Sequence, residues 1–183
     1  MSVYNADAGD ARRDDWETPR WLFEWCEAVW GPFHLDVAAS EDNAKVPVYL
    51  TKRDGALLAQ WAHSNWCNPP FSLASAFAER AAFFAERGQC SLLVLPAATG
   101  SQWFHRNVFA EAAELVFLCG RVAFIRDGVP VSGNNTDSVL AFYARRSSLS
   151  GTARVRTALT AEIRQGKLPR RRVARQLGIM DKP

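Results

Sequence analysis

Apolar side chains recur along this chain with two different periods. Leu22, Trp25, Cys26 and Val29 lie three and four apart, as on one face of a helix; Thr18 and Pro19 precede them as an N-cap and first-turn proline, and Gly31 closes the element. The same period returns in Leu73, Ala76, Phe77, Ala81 and Phe84, which predicts a helix capped by Ser72 and ended at Gly88. Runs of strand length alternate with these helices. Phe33 to Val37 predicts a strand ending at Asp36, Val48 to Thr51 another and Ser64 to Cys67 a third; Cys90 to Leu95 is so apolar that it reads as a parallel strand buried on both faces. A third helix is expected over Ser101 to Glu114, with strands at Leu115 to Cys119, Val122 to Ile125 and Ser138 to Tyr143. Alternation of this kind predicts an α/β domain whose ligands collect outside the carboxyl ends of a mostly parallel sheet. Asp36 and Asn68 both stand at such ends.

The flanks differ from this middle. Residues 1 to 15 are polar and of mixed charge, and read as a flexible arm before a domain over 16 to 150. In the segment 151 to 183, Val155, Leu159 and Ile163 share one helical face, Gly166 ends that helix, and Arg170 to Ile179 begins another. Residues 153 to 183 carry nine Lys or Arg against two acidic side chains, a balance of +7, whereas residues 1 to 152 carry thirteen against seventeen, a balance of −4. A basic appendage on a mildly acidic body predicts contact with a polyanion, most simply nucleic acid, through Lys167, Arg170, Arg171, Arg172 and Arg175; a solvated helix or a docking surface for a second subunit are the alternatives.

Composition narrows the choices further. With 183 residues and 48% hydrophobic side chains, the chain suffices for one domain with a substantial core and a small appendage. No apolar run reaches the roughly 18 residues of a membrane span and the amino terminus has no secretory apolar stretch, so a soluble, intracellular protein is expected. Cys26, Cys67, Cys90 and Cys119 are far apart, and His34, His63 and His105 form no ligand cluster, so no metal is expected and the thiols read as reduced and mostly buried.

The sharpest chemical signal is Asn68-Pro69-Pro70-Phe71, directly after a strand and before a helix. An exocyclic amine on a nucleobase is a poor nucleophile because its lone pair is delocalised into the ring. The Asn68 amide oxygen and the Pro69 carbonyl can accept its two hydrogens, Phe71 offers a face for the ring, and two prolines aim these groups before substrate arrives. The motif therefore suits the methylation of a planar amine. A Pro-Pro turn ending on a buried Phe would share the same four residues. Cys67 adjoins the motif, but reads as a buried strand cysteine rather than a nucleophile.

Further residues fall into a familiar order. Asp15-Trp16-Glu17-Thr18-Pro19, Leu35-Asp36-Val37-Ala38-Ala39-Ser40, Asn43-Ala44-Lys45, Asp54-Gly55, Trp61, Asn68-Pro69-Pro70-Phe71 and Gly120-Arg121-Val122-Ala123-Phe124 resemble the phage-type DNA adenine N6 methyltransferases, the Dam-like family of phages and prophages, over about residues 14 to 145. The resemblance implies a compact Rossmann-like class I methyltransferase sheet flanked by helices, S-adenosyl-L-methionine as methyl donor, DNA as partner and the host cytoplasm as location. It implies that Trp16, Thr18 and Pro19 belong to the cofactor site, near its methionine end, with Asp36, Ala38 and Ala39 in the loop beneath and Asn43 or Asp54 within reach of the ribose or adenine. Arg121 would face DNA.

Two features depart from better-known methyltransferases. Val37-Ala38-Ala39-Ser40 stands where a glycine-rich turn is usual, and only 31 residues separate Asp36 from Asn68, room for at most one shortened strand-helix unit. The rival readings are methylation of another planar amine, such as cytosine N4, RNA adenine or a protein glutamine, and a catalytically silent DNA-binding protein of the same fold.

Overall fold

The apolar run expected to be a buried strand lies at the centre of the sheet, as its composition demands. A computed structural model describes residues 16–131, 136–145 and 153–168; the arm expected over 1–15 and the helix expected from Arg170 to Ile179, with Arg170, Arg171, Arg172 and Arg175, lie outside them. The described residues form strands β1 (Leu35–Asp36), β2 (Ser64–Cys67), β3 (Cys90–Pro96), β4 (Glu114–Cys119), β5 (Ile125–Arg126), β6 (Val129–Pro130), β7 (Ser138–Tyr143) and β8 (Arg154–Leu159) and helices α1 (Arg20–Trp30), α2 (Ala74–Glu86), α3 (Gln102–Phe104) and α4 (Thr160–Arg164), with strict alternation only from β2 to β4. Six strands form one sheet in the order β1-β2-β3-β7-β4-β8, and β5 pairs with β6 as a separate hairpin. Only β7 runs against the other five. This is the mostly parallel, Rossmann-like sheet that the sequence predicted.

Both faces of the sheet are covered, for a reason visible in β3. Leu93 and Leu95 point to the side of α2, where Phe77, Ala78, Ala81 and Phe84 pack with Cys67 and Ala141. Leu92 and Val94 point to the side of α1, where Leu22, Phe23, Trp25 and Cys26 pack with Trp66, Val116 and Leu140. A strand's period of two thus feeds two separate cores.

Several expectations need correction. Thr18 does not cap α1: Pro19 occupies the N-cap, and the Thr18 hydroxyl is buried without a hydrogen-bond partner. Ser72 does not cap α2 either; a short 3₁₀ turn at Phe71–Leu73 leads into the helix and puts Leu73 at its N-cap. Val48 to Thr51 gives only a single bridge, Tyr49 beside Asp36, so β1 is in effect the sheet's edge. The stretch Gln102–Phe104 widens into one π-helical turn at His105–Phe109, which keeps Phe104, Val108 and Ala112 all buried. Of Val122 to Ile125, only Ile125 is in a strand, while Val122 and Phe124 turn into the core.

The largest correction concerns Val155, Leu159 and Ile163. Residues 154–159 form a strand parallel to β4, and only Thr160–Arg164 is helical. A spacing of four fits one face of a helix, but it is also twice the strand period. Val155 and Leu159 lie on the outer face of β8, whereas Arg156 turns inward and forms an ion pair with the buried Glu114, which also accepts a hydrogen bond from Trp30 Nε1 at 3.2 Å. Gly166 ends α4 as expected, with a φ of 69°.

Candidate active site

Asp36 and Asn68 come together because β1 and β2 are parallel neighbours in register, with Asp36 opposite Trp66, so both strands reach the same rim. The Asp36 side chain is 2% exposed and accepts hydrogen bonds from the backbone N–H groups of Lys45 at 3.0 Å and Ala38 at 3.4 Å. Burial pushes its carboxyl up to about 6, against the lowering effect of those two N–H groups and of the Lys45 charge. The loop between is closed locally: Asn43 Oδ1 accepts the Ser40 N–H at 2.8 Å, and the Ala39 N–H reaches Leu50 O at 3.0 Å. Ala38 and Ala39 supply short side chains where glycines are usual.

Asn68 is held by the opposite wall. Its Nδ2 donates to the Trp16 carbonyl at 2.6 Å, and its Oδ1 is buried with no partner. A carbonyl can only accept, so this contact fixes which end of the amide is committed and which is not. An unmatched buried acceptor costs about 1–3 kcal/mol, a penalty that a ligand N–H would remove. Phe71 meets Trp16 edge-on, with ring centroids 5.9 Å apart, and meets Phe124 edge-on at 6.0 Å; Trp16 stacks on Phe124 at 5.5 Å. Phe124 thus belongs to the site's aromatic wall as well as to the core. Trp16 Nε1 and Thr18 Oγ1 are also buried without partners, on the segment whose Trp16 carbonyl meets Asn68. A polar ligand in reach of these atoms would satisfy them.

Other expected site residues stand elsewhere. Asp54 is exposed and its carboxylate accepts both the N–H and the hydroxyl of Thr51, at 2.7 and 2.6 Å, in a capping box that holds its carboxyl below the usual range. Asn43 is engaged with Ser40, as described. Arg121, half-exposed, pairs with Asp137 at 2.9 Å. Lys167 accepts the Trp25 indole N–H on its main-chain oxygen at 3.0 Å, leaving its ammonium exposed. Burial, with the Asp36 charge adding to it, raises the Cys67 thiol well above its ordinary value, so it is no nucleophile. Among the described residues no group of His, Cys, Asp or Glu is arranged to hold a metal ion, and no helix is long and apolar enough to cross a membrane.

Glu17 and Lys45 were not singled out as site residues by the sequence, although both lie inside the ordered motifs. Lys45 Nζ meets Glu17 Oε1 at 2.6 Å, and Glu17 forms an antiparallel bridge with Ile125 through two backbone hydrogen bonds of 2.8 Å. A salt bridge between motifs 28 positions apart has no local sequence signature.

The family model for "DNA N-6-adenine-methyltransferase (Dam)" matches residues 5–166. The DNA N-6-adenine-methyltransferase of Escherichia phage T1 is 31% identical over 150 residues, covering 72% of this chain and 63% of its own length. The DNA N-6-adenine-methyltransferase of Haemophilus phage HP1 is 31% identical over 149 residues, covering 78% of this chain and 84% of its own. The match spans Trp16, Asp36 and Asn68 and continues past β8 and α4, and the chain belongs to the DNA N-6-adenine-methyltransferase (Dam) family.

Proposed function

We propose that this chain methylates the N6 amine of adenine in DNA, using S-adenosyl-L-methionine, on a base turned out of the helix. The observation that carries this reading is the Asn68 amide, whose Nδ2 is committed to Trp16 while Oδ1 is a buried acceptor without a partner. Asn68 Oδ1 and the Pro69 carbonyl take the two amine hydrogens, drawing the nitrogen lone pair out of conjugation with the ring. Phe71 and Trp16 bound the space in which the base plane sits. Asp36 is oriented by the Ala38 and Lys45 N–H groups and does not serve as base. None is needed, because the amine proton becomes strongly acidic once the new N–C bond forms.

The donor fits the neighbouring residues. A buried carboxylate at Asp36, an unsatisfied hydroxyl at Thr18 and an indole N–H at Trp16 suit a cationic, amino-acid-bearing molecule, and these residues would hold it. When bound, S-adenosyl-L-methionine supplies a methyl group made electrophilic by its sulfonium. The chain's part is to hold the amine in line with that group and to exclude water. Such an activity places the protein with host DNA, in the bacterial cytoplasm.

Nucleoside mass spectrometry of DNA incubated with protein and isotopically labelled cofactor tests the proposal. Labelled N6-methyladenine is expected. Labelled N4-methylcytosine would move the substrate to another planar amine, and unlabelled DNA with no cofactor-induced thermal shift would mark a silent DNA-binding protein.

A further inference from the structure

We propose that Glu17 and Lys45 are a positioning pair that aims Asn68, an inference that rests on the methyltransferase reading above. The argument turns on one peptide plane. The Trp16 carbonyl that receives Asn68 Nδ2 and the Glu17 N–H that donates to Ile125 O belong to the same trans peptide, so they point in opposite directions and cannot turn independently. Pinning the N–H on Ile125 at 2.8 Å aims the carbonyl at Asn68. The amide of Asn68 is thereby held with its oxygen uncommitted, the one orientation that offers an acceptor to an amine.

Two backbone hydrogen bonds to a short hairpin are a slender anchor. The second anchor is the Glu17 carboxylate on Lys45 Nζ at 2.6 Å, with the lysine side chain 11% and the glutamate 29% exposed, a pair shielded enough to hold its geometry. Lys45 is itself fixed, since its backbone N–H is bonded to Asp36 Oδ2 at 3.0 Å. Glu17 therefore ties three segments together: the β5–β6 hairpin through its backbone, the Asp36 loop through its side chain, and Asn68 through the carbonyl that precedes it. Neither Glu17 nor Lys45 touches the reacting atoms on this account.

The test uses the full chain and the variants Glu17→Gln and the charge exchange Glu17→Lys with Lys45→Glu. Steady-state methylation of duplex DNA should show kcat lowered about tenfold in Glu17→Gln with KM for DNA nearly unchanged, and the exchange should recover most of that loss. Wild-type kcat in Glu17→Gln would overturn the proposal, as would a loss matched entirely by a smaller folded fraction on thermal melting. A readout independent of activity is exchange of the Asn68 side-chain amide protons by ¹⁵N NMR, which should be slow in the wild type and at least several-fold faster in Glu17→Gln. Equal exchange in both would overturn the positioning role. If the wild-type protein methylates nothing while the exchange rates differ as expected, the functional reading fails and the structural pairing stands.

Discussion

Gly120 lies directly beneath Thr160, so close that a Cβ at position 120 would collide with the Thr160 hydroxyl. Thr160 Oγ1 in turn donates to Cys119 O at 3.2 Å, which joins the end of β4 to the start of α4. Gly120 also has a φ of 102°, a conformation that side chains resist. This turn sends the chain from β4 toward Phe124 and the aromatic wall of the site. Gly120→Ala should therefore cost on the order of 1–3 kcal/mol from backbone strain, and more from the collision. Adding Thr160→Ala should recover the collision part, less the hydrogen bond that the Thr160 hydroxyl gives to Cys119 O. Thermal denaturation of the single and double variants measures both parts, and a Gly120→Ala protein as stable as wild type would contradict the close approach.

Asn68 carries the chemical prediction. Removing its acceptor by Asn68→Ala should lower turnover on the order of a hundredfold and leave cofactor affinity nearly unchanged, because the acceptor strengthens its hold as the amine pyramidalises. Asn68→Asp should be no remedy, since a carboxylate would face the Trp16 carbonyl with no hydrogen to donate. Turnover and calorimetric cofactor titration on the two variants separate chemistry from binding.

Asp36 makes a prediction about pH. Its carboxyl is raised in the fold from 3.8 to about 6, chiefly by burial. Below 3.8 the folded and unfolded chains both hold the proton; from there to about 6 the folded chain keeps a proton that the unfolded chain has released, so the stability gained from this group is lost as pH rises through that window. The loss amounts to roughly 3 kcal/mol, and Asp36→Asn should abolish this part of the slope. Cofactor affinity should move the other way, tightening as the pH passes about 6 and the carboxylate ionises in front of a cationic ligand. Urea denaturation and cofactor titration across this range check the two signs, and an unchanged cofactor dissociation constant would make Asp36 a purely structural residue.

These residues also show what a sequence discloses and what it withholds. The placement of Asp36 and Asn68 was legible because each stands at the carboxyl end of a predicted strand, and parallel strands of one sheet deliver such ends to one rim. The buried run at β3 was legible because a strand covered on both faces is almost wholly apolar; its one polar residue, Ser91, is buried and accepts a hydrogen bond from Asn65 Nδ2. Thr18 was misread as a cap, since Thr before Pro satisfies the local rule while the packing of α1 decides where its hydroxyl goes. Val155 and Leu159 were misread because a spacing of four fits both periods, and the inward Arg156 acquires meaning only as the ion-pair partner of Glu114 on the neighbouring strand. The Glu17–Lys45 contact was invisible for a different reason: it depends on where the edge of β1 and the β5–β6 hairpin place two distant segments. Asp54 fits its local rule, as the capping partner of Thr51, more fully than it fits a distant ligand.

The basic segment beyond α4 supports a final prediction, and the structure specifies where to cut. Truncation must keep Lys167, because its carbonyl receives the Trp25 indole N–H and holds the end of the described chain against α1. Removing residues 169–183 deletes Arg170, Arg171, Arg172 and Arg175 while sparing that contact. If these four cations neutralise about three or four phosphates, the slope of log affinity against log salt should flatten by about the same number of units. Cofactor affinity should hardly change, and sequence preference should survive, since phosphate contacts position a protein without reading bases. Titration of one fixed duplex at several salt concentrations decides the matter. An unaltered slope would exclude a phosphate clamp, and a dimer that becomes a monomer on truncation would assign the segment to subunit docking instead.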